Sequence, residues 1–382
     1  MSNFLLLNYE FPPLGGGAGT ATQAIAKELA LLGHEVRVVT TWFEGQPEKE
    51  YVDGYTVIRL KSRRKKKEGS NILEMLSYIF WAILFFSKKT HRNSSEYIIS
   101  FFSIPSGIVA LYLRKRFGLK YIVSLRGGDV PGFLPSSLAL HHFLTNPITK
   151  LVWVNADSIV ANSKGLQKLA TKTAKKINKK VKYIPNGIDT VKFFPKIIKE
   201  QTNGLVVSFL FVGRLSVQKG LDNALLALAE VKEKRPKIDF KFTIVGDGPL
   251  KKTLQEQANY LGINESCQFL GWMDRERLIS EYQKHDIFLF PSLDEGMPNA
   301  VLEAMASGLA IIATKIPGND ELVVNNINGE LITEKNELIS AIILLCDDRK
   351  LLSKYKQNSR IRAEIFQWKN VAKTYIDLSL KK

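Results

Sequence analysis

Two cysteines in 382 residues, Cys267 and Cys346, are too few and too widely spaced for a disulfide framework or a metal cluster. They point to a reducing compartment. No Asp-x-Asp pair closes a predicted strand, which argues against a required cation. The N-terminus lacks the basic leader and the apolar length of a signal peptide, and Phe4 to Leu7 reads as a first strand instead. Ile72 to Phe86 is apolar almost throughout, but its 15 residues fall short of the ~20 that a bilayer-spanning helix needs. Neither an aromatic-glycine RNA motif nor zinc-finger spacing is present, so a basic nucleic-acid-binding protein is only an outside alternative.

Acidic residues are scarce in one half only. Met1 to Glu200 carries 30 Lys and Arg against 14 Asp and Glu, while the remainder carries 24 against 23. Nearly all of the net charge of +17 therefore sits in the first half. That half is expected to meet a negatively charged surface. With 45% hydrophobic and 24% charged residues, the chain is long enough for two domains, each with its own core.

Short apolar runs alternate with helical patterns along the whole chain. Phe4 to Tyr9, Val36 to Thr40, Tyr97 to Phe102, Tyr121 to Leu125 and Ser158 to Ala161 read as strands of one doubly wound α/β domain. The glycine-rich loop after the first strand, with Gly16 and Gly17, is not a dinucleotide fingerprint: Thr20 and Thr22 stand where a third glycine would fall, and no acid ends the second strand. Six cations within seven residues, Lys61 and Arg63 to Lys67, precede the apolar stretch, and Lys88, Lys89 and Arg92 follow it. That pattern fits a helix at a membrane interface or one buried beneath a solvated basic loop. After Leu125 comes RGGDVPGF, with Arg126 and Asp129 at the carboxyl end of a strand, where open α/β sheets bind ligands. A turn-forming role is the alternative for Asp129.

The pattern restarts at Leu205. Gly213, Arg214 and Lys219 follow a strand end, and two cations five apart there can grip one diphosphate. Gly246 and Gly248 close the strand Phe240 to Val245, and Gln268 to Trp272 is a short strand containing Leu270. The densest stretch is Phe288 to Val324. A buried-type strand, Ile287 to Phe290, is stopped by Pro291; Glu295, Gly296 and Met297 form a loop; a helix is predicted from Pro298 to Gly308. The N–H groups near Asn299, Ala300 and Val301, with the positive end of the helix dipole, make an anion seat. Glu295 and Glu303 flank that seat, and carboxylates placed there call for a ligand that brings hydroxyls.

EGMPNAVLEAMASG and PGNDELV resemble the Glu-x7-Glu signature of retaining glycosyltransferases of the GT-B fold, and most closely those of glycosyltransferase family 4. GRLSVQKG, Gly213 to Gly220, is similar to that family's leaving-group clamp. The resemblance implies two Rossmann-like domains facing each other across a cleft. It places an acceptor domain at 1–195, a linker at 196–204, a nucleotide-sugar domain at 205–360 and a C-terminal helix, 361–382, returning to the first domain. The implied reaction is transfer of a sugar from a nucleoside-diphosphate sugar to a hydroxyl. Arg214, Lys219, Glu295 and Asp129 are then the catalytic candidates.

Substrate binding falls to Gly16, Gly17, Arg126, Gly213, Gly246, Gly248, Leu270, Met297, Pro298, Asn299, Ala300, Val301 and Glu303. Leu270 is expected to read a base edge through its backbone. No metal or other cofactor is implied. The expected partners are the donor, a saccharide or lipid-linked acceptor and an anionic membrane surface, without nucleic acid. The expected place is the cytoplasm, at the inner face of the membrane. Many members carry a histidine where Arg126 stands, which leaves the role of Asp129 open. A sugar-nucleotide epimerase or hydrolase and a glycogen-synthase-like enzyme are the nearest alternatives.

Overall fold

The computed structural model describes residues 2–62, 64–66, 69–88, 96–133, 135–196 and 206–380, with the side chains of 96 and 135–143 left aside. Of the expected linker only Lys196 is described. Arg63, Lys67, Lys89 and Arg92 of the basic flanks, and the side chains of His141 and His142, also lie outside the description. The chain divides into two units, one of Met1–Gly187 with Trp368–Lys382 and one of Ile188–Gln367. Pro195 and Ile361, where the domain exits were expected, both lie within the second unit. There the Ile188 N–H donates to the Phe366 carbonyl at 2.7 Å, and the Arg360 guanidinium holds the carbonyls of Thr190 and Phe193.

In chain order the first unit comprises β1 (Asn3–Leu7), α1 (Gly17–Leu31), β2 (Glu35–Thr41), β3 (Lys49–Val52), β4 (Tyr55–Leu60), α2 (Ile72–Ser87) and β5 (Glu96–Phe101). It continues with α3 (Ser106–Phe117), β6 (Tyr121–Leu125), α4 (Pro135–Asn155), β7 (Ser158–Ala161), α5 (Lys164–Lys175) and β8 (Val181–Tyr183). The strands form one sheet in the order β3-β4-β2-β1-β5-β6-β7-β8, parallel except for the β3–β4 hairpin. The turn of that hairpin is Asp53-Gly54, both at positive φ, as a tight two-residue connection requires.

Successive side chains of β1 point to opposite faces, so Leu5 and Leu7 enter one core and Phe4 and Leu6 the other. Both faces are buried, as a parallel sheet demands. The first core is capped by α2, α3, α4 and α5. The second is capped by α1 together with the chain's last helix, which is part of this unit and supplies Trp368, Val371 and Tyr375.

The second unit comprises β9 (Val207–Val212), α6 (Leu221–Lys234), β10 (Phe240–Val245), α7 (Lys251–Tyr260), β11 (Cys267–Gly271), α8 (Arg275–Tyr282) and β12 (Ile287–Phe290). It ends with α9 (Asn299–Ala306), β13 (Ala310–Thr314), α10 (Asn319–Leu322), β14 (Gly329–Ile332), α11 (Lys335–Asp347) and α12 (Arg349–Ala363); α13 (Trp368–Leu380) is the last helix. The six strands are parallel in the order β11-β10-β9-β12-β13-β14. The order reverses between β9 and β12, and in the first unit between β1 and β5. Adjacent strands whose connections leave to opposite sides open a crevice at their carboxyl ends, the place where doubly wound sheets bind ligands.

Candidate active site

In the second unit the crevice lies between the loops that follow β9 and β12. Gly213 leaves β9 with its N–H bonded to the Val245 carbonyl at 3.0 Å, and the chain then crosses a single 3-10 turn, Val217–Lys219, before α6. Gly220 makes this possible. It sits at φ +60°, and a Cβ there would overlap the Pro291 carbonyl at the end of β12. Gly246, at φ +140°, likewise lets the end of β10 lie directly on the Gly213 carbonyl. The loops after β9, β10 and β12 are thus drawn together by glycines that admit backbone against backbone.

Across this seam Lys219 Nζ meets Glu295 Oε1 at 2.5 Å, with only 17% and 11% of the two side chains exposed. Ser292 Oγ donates to the same carboxylate oxygen at 2.7 Å, and the Lys219 ammonium lies 5.1 Å from the centre of the Phe290 ring. Gln218 stitches the loops further: its side chain donates to the Asp294 carbonyl at 2.7 Å, and its carbonyl accepts from the Leu293 N–H at 2.8 Å. Arg214, by contrast, is exposed on the first loop. The site therefore holds one neutralised and one solvent-facing cation on the same loop.

Pro298 does not occupy the first helical position. It is the N-cap in extended conformation, and α9 begins one residue later at Asn299. The helix end falls at Ala306, with Gly308 at φ +76° closing it. N–H groups in a first helical turn, here those of Ala300 and Val301, have no intrahelical acceptor, so an anion seat at this point is geometrically sound. Glu303 sits one turn further on and is partly buried, accepting a 3.0 Å hydrogen bond from the Tyr282 hydroxyl. Burial pushes its carboxyl up to about 7, against the pull of the Arg275 charge and the tyrosine bond. Leu270 is the residue that the β10–β11 ladder skips, since Ile244 pairs with Phe269 and Val245 with Gly271. A skipped residue keeps its backbone groups out of the ladder.

The first unit places Gly16 as the N-cap of α1 and Gly17 as its first residue. Arg126 points inward. Its guanidinium donates to Asn186 Oδ1 at 2.7 Å and to the Tyr375 hydroxyl at 3.4 Å, and it stacks 4.8 Å from the Phe101 ring centre. Both oxygens of Asp129 carry donors, namely the N–H groups of Arg126 and Gly127 on one and the Ser103 N–H and hydroxyl on the other. Those are the bonds of a turn aspartate. Asp129 also borders a cavity of about 720 Å³ at this unit's own crevice, with Tyr9, Phe102 and Ile104 after β1 and β5.

Three participants escaped the sequence reading. Ser292 directly follows a strand-ending proline, a position that could have flagged it. Tyr282 and Gln218 gave no signal, because their contacts span 21 and 76 residues. Among the described residues no three His, Cys, Asp or Glu side chains converge as metal ligands.

The crevice brings Lys219, Glu295 and the start of α9 together at the strand ends of a doubly wound unit, and solved structures place the fold in the GT-B class. Sucrose-phosphate synthase from Thermosynechococcus elongatus superposes with a TM-score of 0.81 at 20% identity, covering 99% of this chain and 98% of that one. The family description "Glycosyl transferases group 1" matches residues 196–362, and "Glycosyltransferase Family 4" matches residues 15–192. An uncharacterized glycosyltransferase of Methanocaldococcus jannaschii is 30% identical over 69% of either chain. The UDP-Gal:alpha-D-GlcNAc-diphosphoundecaprenol alpha-1,3-galactosyltransferase of Escherichia coli is 39% identical over 47% of this chain and 49% of its own. The chain belongs to glycosyltransferase family 4 and is an enzyme that transfers glycosyl groups.

Proposed function

We propose that the enzyme moves a sugar, with retention of anomeric configuration, from a nucleoside-diphosphate sugar to a hydroxyl of a saccharide or lipid-linked acceptor in glycolipid or envelope-polysaccharide synthesis. The observation that carries this reading is the Lys219–Glu295 pair seated between two glycine-tightened loops beside the start of α9. Breaking the anomeric C–O bond leaves negative charge on the diphosphate. Lys219, Arg214 and the first turn of α9 face that charge as it develops, which supplies the stabilisation without a metal ion.

Glu295 gives up its ion pair to the incoming diphosphate and turns its oxygens to the hydroxyls of the donor sugar. Glu303, held by Tyr282, accepts from the ribose hydroxyls, and the Leu270 backbone meets the base. The acceptor proton passes to a phosphate oxygen of the leaving group. In the first unit, Gly16, Gly17 and the Arg126 to Asp129 turn shape the acceptor side, with Asp129 as the anchor of its loop. The name of the Escherichia coli relative supports both a nucleotide-sugar donor and a polyprenyl-diphosphate acceptor. The charge of the first half supports work at the cytoplasmic face of an anionic membrane.

Replacing Lys219 by Ala is expected to lower kcat/KM about a hundredfold or more, on the order of 3 kcal/mol of transition-state stabilisation. Normal turnover by that variant, or a product of inverted configuration by NMR, overturns the mechanism. Full activity in the presence of a chelator checks its independence of metal.

A further inference from the structure

In the reaction proposed above Glu295 exchanges one partner for another, so whatever fixes its backbone decides where its carboxylate can go. The loop that carries it, Ser292 to Met297, is held near both ends by a third loop, the one that follows β13. Backbone pairing between β12 and β13 ends at Phe290 with Ala313, and Pro291 has no N–H with which to extend it. Beyond that point a side chain takes over: the Thr314 hydroxyl donates to the Ser292 carbonyl. Further along, Gly318 sits at φ +92° so close to the Gly296 carbonyl that a Cβ there would overlap it. Glu295 lies between these two fixed points.

The hydroxyl of Thr314 is itself oriented. The Asn319 side-chain amide, fully buried, donates to the Thr314 carbonyl at 2.9 Å and reaches its Oγ1 at 3.4 Å. With that donor on its oxygen, the threonine turns its only proton to the Ser292 carbonyl. Ser292, also fully buried, then has one proton and three acceptors: Glu295 Oε1 at 2.7 Å, the Gln218 carbonyl at 3.0 Å and the Asp294 carbonyl at 3.4 Å. The charged acceptor is the nearest, and a bond to it is the strongest of the three. When the carboxylate swings away, the Gln218 carbonyl can take the proton. The serine therefore releases Glu295 without becoming a buried donor that lacks a partner.

We infer that Thr314 is a positioning residue for Glu295: it fixes the Ser292 carbonyl and thereby aims the Ser292 hydroxyl, so that Glu295 passes from Lys219 to the donor sugar by turning its side chain about a stationary backbone. Asn319 serves Thr314 in the same way, and neither residue touches substrate. The loop after β13 is thus a supporting part of the site, although the ion pair itself is made by the loops after β9 and β12. The inference rests on the sugar-holding role of Glu295 proposed above.

The test uses the full chain with UDP-, GDP- and ADP-sugars and a panel of saccharide and lipid-linked acceptors, turnover being read as nucleoside diphosphate released. Thr314→Val keeps the shape and removes the hydroxyl; Thr314→Ser keeps the hydroxyl. Thr314→Val is expected to lower kcat about tenfold, the scale of one hydrogen bond to a buried group. Its affinity for the free nucleoside diphosphate of the best donor, which carries no sugar, should match that of wild type, and this shows that the crevice is folded. Thr314→Ser should restore most of kcat. Because Thr314 acts through Ser292, the double variant Ser292→Ala with Thr314→Val should lose clearly less than the product of the two single losses. Wild-type kcat in Thr314→Val, an equal loss in nucleoside-diphosphate affinity, no recovery in Thr314→Ser, or fully multiplicative losses each overturn the inference alone. The reading beneath it fails in a different way: a wild type that releases nucleoside diphosphate from none of the donors, or a Glu295→Gln enzyme with wild-type kcat, overturns that reading and the positioning role with it.

Discussion

Glu303 and Tyr282 show how one residue depends on another that the sequence does not advertise. The tyrosine hydroxyl lies 3.0 Å from Glu303 Oε2 and 3.3 Å from the Ala300 carbonyl, so its single proton serves the carboxylate when Glu303 is ionised and the carbonyl when it is not. In the proposed pose, ribose hydroxyls bind an ionised Glu303 more strongly than a neutral one. With the Glu303 carboxyl raised by burial to about 7, donor affinity is expected to be full above that pH and to fall as pH drops through it, read as a rising donor KM. Stability runs the other way. The folded state binds this proton more tightly than the unfolded chain, so the contribution of Glu303 to stability is present below pH 4.5 and is lost as pH rises through about 7. Tyr282→Phe removes the donor to the charged form. The KM midpoint should move to higher pH, and donor KM at neutral pH should rise about tenfold, the scale of a hydrogen bond to a charged group. A pH profile identical to that of wild type would leave Tyr282 as a packing residue only.

At the scale of elements, the site depends on backbone crowding more than on side chains. Gly220→Ala would set a Cβ against the Pro291 carbonyl and force a left-handed φ on alanine. About 1–3 kcal/mol of strain is expected, visible as a lower melting temperature and as weaker thermal stabilisation by the proposed nucleotide-sugar donor, because Lys219 is the adjacent residue. The same crowding explains what was legible in the sequence. Strands Tyr121–Leu125, Ser158–Ala161, Phe240–Val245 and Ile287–Phe290 could be bounded to the residue, because short apolar runs between turn formers are what buried parallel strands require. β3, β4, β8 and β14 went unread: β3, β8 and β14 lack the continuous apolar run of a central strand, and the Asp53-Gly54 turn signal that joins β3 to β4 was passed over. The carboxylates and cations of the crevice were legible from their motifs. Their pairing was not, since the contact of Lys219 with Glu295 is set by how β9 and β12 neighbour each other, a fact of topology rather than of local pattern.

For the whole molecule, the last helix is the decisive piece of chain organisation. α13 follows the second unit in sequence but belongs to the first, where Trp368, Val371, Ala372 and Tyr375 complete a core otherwise built from the beginning of the chain. Each large apolar side chain removed from such a core costs about 1.5–3 kcal/mol, so losing three approaches the ~5–15 kcal/mol that holds a whole domain together. A chain ending at Gln367 is therefore expected to fail in its first unit, although it keeps every strand of that sheet. A milder probe is Tyr375→Phe. It keeps the ring and removes the hydroxyl that meets Ser124 Oγ at 2.7 Å and the Arg126 guanidinium at 3.4 Å, leaving a buried serine without that partner. The expected loss is about 1–2 kcal/mol, or roughly 2–8 °C in melting temperature for a body of this size. Amide exchange should localise it. Faster exchange in β6 and its following turn, with the second unit unaltered, marks α13 as the closing wall of the first core; an unchanged β6 would assign that role to the rest of the helix.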